Sequence, residues 1–510
     1  MFPTVITRKS VITVALLTLI SFLLFRNQET IKSSSVWTTP SVFDCPSNRT
    51  NPFHIVAPAP ADSSQLSRLW LDLKALFEAN HPVPQELKKP AHHDVPKKEK
   101  LGSFFALTDE DAGATRKNHQ EVVKNLPAYP DNTFRGRGIV MLAGGRYSEF
   151  AATSLGVVRE MQSKLPVEVW YKDEEEDMPG WCNELYEEGM ACRRLSDYMN
   201  VKELKHAYAL KVFTILFSSF TEILFLDADS CPIVNPDQIF DSEVYEENGA
   251  ILWPDYWPHT GSPWLPYLTG MTPAQSEMLM DEKSVESGQV VWNKEKHWKS
   301  LLLAVYYNYY GPAFWYTVFN NGWAGWGDKD TFPMALKALK EPYFQVQHGI
   351  VTGFVAGTVE GIGMLQANPQ NKDEHEPMFL HSNIIKWSMR NLACRKCENI
   401  KGHEPYYYHL EDPKSKIHSH LNEGKRIFAM GQMDEKHIDP EPILWKAVEW
   451  TACNSRVWGN GQVCQQTRSY MEKAFGFEFR TSRIASAVSN GKQICMVEPA
   501  VYKRPPPAPS

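Results

Sequence analysis

An apolar run, Glu222-Ile223-Leu224-Phe225-Leu226, stops on Asp227-Ala228-Asp229. Two carboxylates two residues apart at a strand end can both turn toward one hard cation, and Mg2+ or Mn2+ take oxygen ligands that bridge to phosphates. A cation held there would neutralise a departing diphosphate. Two more polar blocks interrupt apolar surroundings: Glu286-Ser287-Gly288-Gln289 and Gly327-Asp328-Lys329-Asp330. Carboxylates in such settings have a task or a partner. Trp326 sets an aromatic face beside Asp328, a combination suited to stacking a sugar ring while accepting its hydroxyl hydrogen bonds. The alternative is structural, with Asp328 or Asp330 capping a helix over Phe332–Leu339. Cys394-Arg395-Lys396-Cys397 has zinc-knuckle spacing, but no second pair at matching spacing follows, which favours a disulfide.

The elements that must position these groups read as alternating strands and helices. Gly138 to Ala143 is a short apolar run that ends in Gly144-Gly145-Arg146; it reads as a buried strand and a glycine turn, and a glycine pair lets backbone approach a base or ribose closely. A helical stretch over Ala151–Leu165, a second strand over Pro166–Tyr171 and an acidic run from Asp173 to Asp177 follow. Strand, helix, strand implies a parallel sheet. Lys202–Phe217 reads as the helix before the Asp227 strand, whose end faces the crevice where α/β sheets bind ligands. Residues 241 to 330, rich in Trp, Tyr and Pro, read as acceptor-side loops. The implied division is a cytosolic tail (1–10), a transmembrane signal anchor (11–25), a stem (26–135), a catalytic domain (136–500) and a disordered Pro-rich tail (501–510).

A net charge of −7 and the absence of a long Lys/Arg tract argue against a nucleic-acid partner. Arg8 and Lys9 precede an uncharged stretch, Val11 to Phe25, that ends at Arg26. It is short for a plasma-membrane span but adequate for a thin early-secretory bilayer, and no A-x-A cleavage pattern follows it. Asn48-Arg49-Thr50 is a glycosylation acceptor just beyond, which directs the C-terminal side to the lumen. Nine cysteines are compatible with disulfides in an oxidising compartment; because nine is odd, one thiol is free or pairs between chains.

Six stretches carry a family resemblance: GIVMLAGGRYSE (138–149), LPVEVWY (165–171), EILFLDADSCPI (222–233), ESGQVVWNK (286–294), WGDKDTF (326–332) and MFLHSNIIKW (378–387). As an ordered set over residues 136 to 390 they resemble the fungal Golgi α-mannosyltransferases, a family similar in turn to the glycogenin-like transferases. The resemblance implies a GT-A-type fold, a Rossmann-like mixed α/β sheet with helices on both faces. It implies retaining transfer of mannose from GDP-mannose to a mannose hydroxyl of a glycan or glycoprotein, with Mn2+ or Mg2+. The setting it implies is the Golgi membrane, with a Golgi mannosyltransferase complex among the partners. Residue by residue, it implies Asp227, Asp229 and His381 at the metal. Gly144, Gly145, Arg146, Lys211 and Asp227 fall on the donor, and Lys386, followed by Trp387, on its phosphates. Gln289 falls near the anomeric carbon, with Asp328 and Asp330 toward the acceptor. The interval from His381 to Lys386 is one residue shorter than in glycogenin-like enzymes. Without the resemblance, the residues leave open a UDP-sugar donor, a haloacid-dehalogenase-type phosphatase with Asp227 as nucleophile, or a sugar-binding protein without turnover.

Overall fold

The alternation read from the sequence becomes a seven-stranded sheet of order β3-β2-β1-β4-β7-β6-β8. Its strands are β1 (Arg137–Leu142), β2 (Val167–Tyr171), β3 (Met190–Arg194), β4 (Glu222–Asp227), β6 (Ala250–Pro258), β7 (Lys283–Asn293) and β8 (Phe344–Gln345). In this computed structural model the described residues are 54–87, 105, 107–388 apart from short gaps at 273, 276–281, 322, 324, 360 and 372, then 416–429, 439–479 apart from 460, and 487–489 and 492–494. All of them fall in the unit Cys45–Ser510. The expected anchor at 11–25, the sequon at Asn48, the Cys394/Cys397 pair and the tail 501–510 lie outside the described residues. Among the described residues no helix is long and apolar enough to cross a membrane.

Strands β3, β2, β1 and β4 run parallel, in the register Ile139↔Val167 and Ile139↔Leu224; β7 then pairs antiparallel to β4. A sheet covered on both faces needs apolar residues in succession rather than in alternation, and β4 shows why. Ile223 and Phe225 enter one apolar cluster and Leu224 and Leu226 the other, because successive side chains of a strand point to opposite faces.

On the face of Leu224 and Leu226 lie α3 (Tyr147–Glu160) and, from the C-terminal region, α8 (Pro440–Asn454) and α9 (Gly461–Phe475), together with a second sheet of order β5-β11-β10-β9. That sheet consists of β5 (Ser230–Pro232), β9 (Val351–Phe354), β10 (Gly361–Ala367) and β11 (Pro377–His381). On the other face lie α1 (Ser63–Ala79), α2 (Asp109–Asn125), α5 (Leu210–Phe217), α6 (Trp298–Tyr309) and α7 (Thr331–Leu339). Among the described residues, two disulfides brace that same side: Cys182 in α4 (Pro179–Glu187) to Cys192 in β3, and Cys453 in α8 to Cys464 in α9, while Cys231 is a buried free thiol.

Three sequence expectations differ from what is seen. Residues 26–135 read as a stem, yet α1 and α2 from that segment form part of the core. Asp62 caps α1 by accepting from the Ser64 and Gln65 amides, and Leu66, Trp70, Leu73 and Phe77 recur every three or four residues to form its buried stripe. Trp70 meets Phe213 edge to face at 5.0 Å, and Tyr306 Oη donates to the Asn80 carbonyl at 2.9 Å. The single helix expected over Lys202–Phe217 is two short 3-10 turns, Val201–Glu203 and Ala207–Ala209, followed by α5. His206 Nδ1 accepts the Tyr208 amide at 3.3 Å and so restarts the helix there. Residues 241–330, expected as loops, include the central strands β6 and β7 and helix α6.

The α1 packing makes a direct prediction. Leu73 is 1% exposed and Leu71, two residues away, is 62% exposed. Leu73→Ala is expected to cost about 2–4 kcal/mol through lost burial and the cavity left behind, whereas Leu71→Ala should stay within about 0.5 kcal/mol. Urea midpoints of the two variants check this, and equal midpoints would remove α1 from the folded core.

Candidate active site

Asp227 ends β4, and Asp229 sits in the turn that leads into β5. The turn is pinned from two sides: Ser154 Oγ of α3 donates to the Ala228 carbonyl at 2.7 Å, and the Ser382 amide donates to the Asp229 carbonyl at 2.8 Å. β11 lies antiparallel to β5 in the register His381↔Ser230, which delivers the imidazole to the carboxylates. One ligand atom from each of Asp227, Asp229 and His381 lies within 4.8 Å of the others. Two carboxylates and an imidazole on one side fit Mn2+ or Mg2+ and leave coordination positions for phosphate oxygens.

Two lysines pair with the carboxylates here. Lys211, buried, donates to Asp227 Oδ2 at 3.1 Å, to the Ser287 carbonyl at 2.7 Å and to Ser287 Oγ at 2.8 Å, and lies 3.4 Å from Asp328 Oδ2. Burial works against its charge, but the Asp227 and Asp328 carboxylates outweigh that and hold its pKa above the ordinary lysine value. Lys386 hydrogen-bonds Asp229 Oδ2. Burial lowers its pKa to about 8, with Asp227 opposing that fall and Arg146 reinforcing it. Arg146 is exposed and donates to Tyr147 Oη at 3.2 Å; it follows a turn in which Gly144 (φ +119°) and Gly145 (φ +50°) occupy left-handed backbone. At Gly144 a Cβ would stand 2.2 Å from Glu176 Oε2, so the close neighbour of this turn is the acidic run itself.

β7 contributes the rest. Its ladder with β6 steps from Leu252↔Val290 to Trp253↔Glu286, one residue on β6 against four on β7. Bulges of this kind re-aim side chains at functional sites. Ser287 Oγ donates to Asp328 Oδ2 at 3.2 Å, which ties the bulge to Lys211 and Asp227. Glu286 is buried and accepts from the Gly288 amide at 2.6 Å, from Gln366 Nε2 at 3.1 Å and from Gln289 Nε2, and its Oε2 lies 2.9 Å from His381 Nδ1. Burial alone would raise the Glu286 pKa; the His381 ring overrides it and holds the carboxyl below its ordinary value. Burial likewise opposes charge on His381, and Glu286 overrides it, raising the imidazole above its ordinary pKa.

The structure gathers Asp227, Asp229, His381, Lys211, Lys386 and Asp328 and leaves three other residues outside the group. Asp330 accepts from Ser284 Oγ at 2.8 Å, beside a Lys329 that binds Asp255 at 2.7 Å; at the N-terminal boundary of α7 it makes no side-chain capping bond. Gln289 is fully buried, with Nε2 on Glu286 and Oε1 accepting from Ser230 Oγ at 3.2 Å, so both ends of its amide are bonded within the scaffold. Trp387, read together with Lys386 as phosphate-facing, stacks on Phe428 at 5.7 Å in the core. Asp328 and Asp330 were paired by sequence as acceptor groups, yet only Asp328 reaches the metal-site cluster, through Lys211. The group that residue reading left without a role is Glu286; its one signal was its place in the polar block Glu286–Gln289, set between Val285 and the apolar Val290–Trp292. Beside the cluster, Trp326 packs edge-on to Tyr316 at 5.1 Å and His206 at 5.5 Å, and half-exposed Tyr208 lies over Gly327.

Residues 136–283 and 274–366 match the family described as "Mannosyltransferase putative". Among curated proteins, the chain is similar to the alpha-1,2-mannosyltransferase MNN21 of Candida albicans, 28% identical over 417 residues, covering 69% of this chain and 63% of the relative. It is 34% identical over 308 residues to MNN22 of the same organism, covering 50% and 51%. It is 33% identical over 259 residues to MNN5 of Saccharomyces cerevisiae, covering 41% and 44%. The matches thus span less than two thirds of the length of these relatives. Solved structures that resemble the chain include the galactosyltransferase LgtC with donor and acceptor sugar analogs, at a TM-score of 0.27 and 13% identity over 41% of this chain and 73% of that one. Mouse xyloside xylosyltransferase 1 matches at a TM-score of 0.28 and 14% identity over 41% and 84%.

Proposed function

We propose that this protein is a metal-dependent glycosyltransferase of GT-A type, a reading supported by the match of residues 136–283 and 274–366 to the family described as "Mannosyltransferase putative". It transfers mannose from GDP-mannose, with retention, to a mannose hydroxyl of a glycan, and the names of its relatives point to an α-1,2 linkage. The observation that carries this reading is the cluster of Asp227, Asp229 and His381 at the carboxyl end of a central parallel strand. A Mn2+ or Mg2+ ion bound there would supply the charge that stabilises the departing diphosphate. The chain's own residues do the rest. Asp227 and Asp229 bring negative charge to one point, and Lys211 keeps Asp227 and Asp328 from repelling each other. Lys386 and Arg146 are the cations positioned to meet a phosphate, and the glycine turn at 144–145 gives a nucleoside access to backbone. The aromatic group of Trp326 and Tyr208 offers a ring face for the acceptor sugar.

The apolar stretch Val11–Phe25, the Asn48 acceptor and the two disulfides support a luminal catalytic region anchored in the Golgi membrane as a type II protein. Calorimetry of the full chain with GDP and with UDP, each with and without Mn2+, tests the donor. GDP binding that disappears with a chelator is expected. Preference for UDP, or GDP binding indifferent to chelation, would overturn the donor or the metal assignment respectively.

A further inference from the structure

The bulge of β7 does more than shape a wall of the site. Its three extra residues let Glu286 fold back under His381 while Gly288 passes beneath the ring: a Cβ added to Gly288 would stand 2.4 Å from His381 Nδ1 and 2.7 Å from its Cε1. Besides His381 Nδ1 at 2.9 Å, the Glu286 carboxylate accepts from the Gly288 amide and from the side-chain amides of Gln289 and Gln366, the set that an ionised carboxylate needs. An ionised carboxylate only accepts, so Nδ1 is the nitrogen that carries hydrogen. The ring's other nitrogen, Nε2, then faces Asp229 Oδ1 at 3.5 Å. In the neutral ring Nε2 holds the lone pair, so the nitrogen on the Asp227/Asp229 side is the one able to bind a cation.

The geometry points to Glu286 as a positioning residue that fixes the tautomer and orientation of His381 as a metal ligand, with Gly288 as the floor on which the ring rests. Glu286 acts through His381 and does not touch the ion. Histidine ligands are oriented in this way by a carboxylate on the second nitrogen, and loss of such a partner lowers metal affinity about 10–100-fold. This deepens the proposed function and rests on its metal site, so the test separates the two.

The probe is Mn2+ alone, titrated into the full chain and followed by calorimetry and by pulsed electron paramagnetic resonance, which detects nitrogen coupling from a metal-bound imidazole. Wild type is expected to bind with nitrogen coupling and Asp229→Asn to lose binding. Glu286→Gln, which keeps the shape but sets an amide NH2 against at least one donor, should weaken binding about 10–100-fold and diminish the nitrogen signal. If wild type binds no Mn2+, the metal site fails and this inference with it. If wild type and Asp229→Asn behave as expected while Glu286→Gln keeps both the Kd within twofold and the nitrogen coupling, Glu286 has no such role and the metal site stands. Should Glu286→Gln fail to fold, Gly288→Ala decides, because it displaces the ring from the other side. Unchanged affinity and coupling in that variant would equally overturn the proposal.

Discussion

Asp229→Asn is expected to lower the proposed mannosyl transfer by about a thousandfold or more while leaving the fold intact. Asparagine keeps the size and one oxygen of the side chain but removes the charge opposite His381 and Lys386. An ion that loses one of two carboxylate ligands can no longer be held between the protein and a diphosphate. The charge stabilisation lost is several kcal/mol, and about 4 kcal/mol is a factor of roughly a thousand in rate. The fold should tolerate the change, because the Asp229 backbone is held by the Ser382 amide and asparagine keeps the side chain's volume. Lys386 retains the attraction of Asp227. Transfer from GDP-mannose at saturating Mn2+, with a thermal melt alongside, checks both parts. Activity within tenfold of wild type would remove Asp229 from the metal site; a melt many degrees lower would make its role structural.

Lys211→Met should be the most destabilising single change at the site. The ammonium is buried and is the direct cationic partner of two carboxylates, Asp227 at 3.1 Å and Asp328 at 3.4 Å, and it also satisfies the carbonyl and hydroxyl of Ser287. Methionine fills the volume but leaves those acceptors facing one another. Breaking a buried charge network by removing one partner costs about 3–5 kcal/mol, because uncompensated charge stays behind. The urea midpoint should fall accordingly, and activity should fall with it. The double variant Lys211→Met/Asp328→Asn should regain at least about 1 kcal/mol by removing one of the stranded charges, a coupling that a double-mutant cycle reads directly. A Lys211→Met protein within 1 kcal/mol of wild type, or additivity of the two changes, would show that the lysine does not hold the carboxylates together.

Three of the four parallel strands, β1, β2 and β4, were legible because they are buried on both faces, whereas β3, half-buried over its last three residues, was not read as a strand. Gly138–Ala143, Pro166–Tyr171 and Glu222–Leu226 stand out as apolar runs, and each is a strand within a residue or two of its expected limits. The Asp227/Asp229 pair was legible for the same reason, as polarity arriving abruptly at the end of such a run. β7 was not. Its interior holds Glu286, Ser287 and Gln289, all buried, so it reads as a polar block although it is a central strand. The polar residues are tolerated because the bulge supplies each with a partner, and that depends on side chains from β11, α5 and the 326–330 loop that no local pattern reveals. α2 was missed because it buries only Ala112, Thr115, His119 and Val122 and is otherwise polar. The stripe of α1 is legible in the spacing of Leu66, Trp70, Leu73 and Phe77, but the surface it covers is made by residues far along the chain. His381 was found by family likeness alone; what brings it to Asp229 is the pairing of β11 with β5, which sequence periodicity cannot express.

That distant cover for α1 also bears on how the protein is made. The helix end is held by Tyr306 and Tyr310, whose hydroxyls reach the Asn80 and Phe77 carbonyls across separations of 226 and 233 residues. At a synthesis rate of about 5–20 residues per second, roughly ten to forty-five seconds pass between the ribosome's completion of α1 and the appearance of its last partners. Through that interval a nascent chain displays the stripe of Leu66, Trp70, Leu73 and Phe77 without its final cover. Closure of this layer is therefore a late event in biogenesis, governed by the growth of the chain rather than by the propensity of the helix.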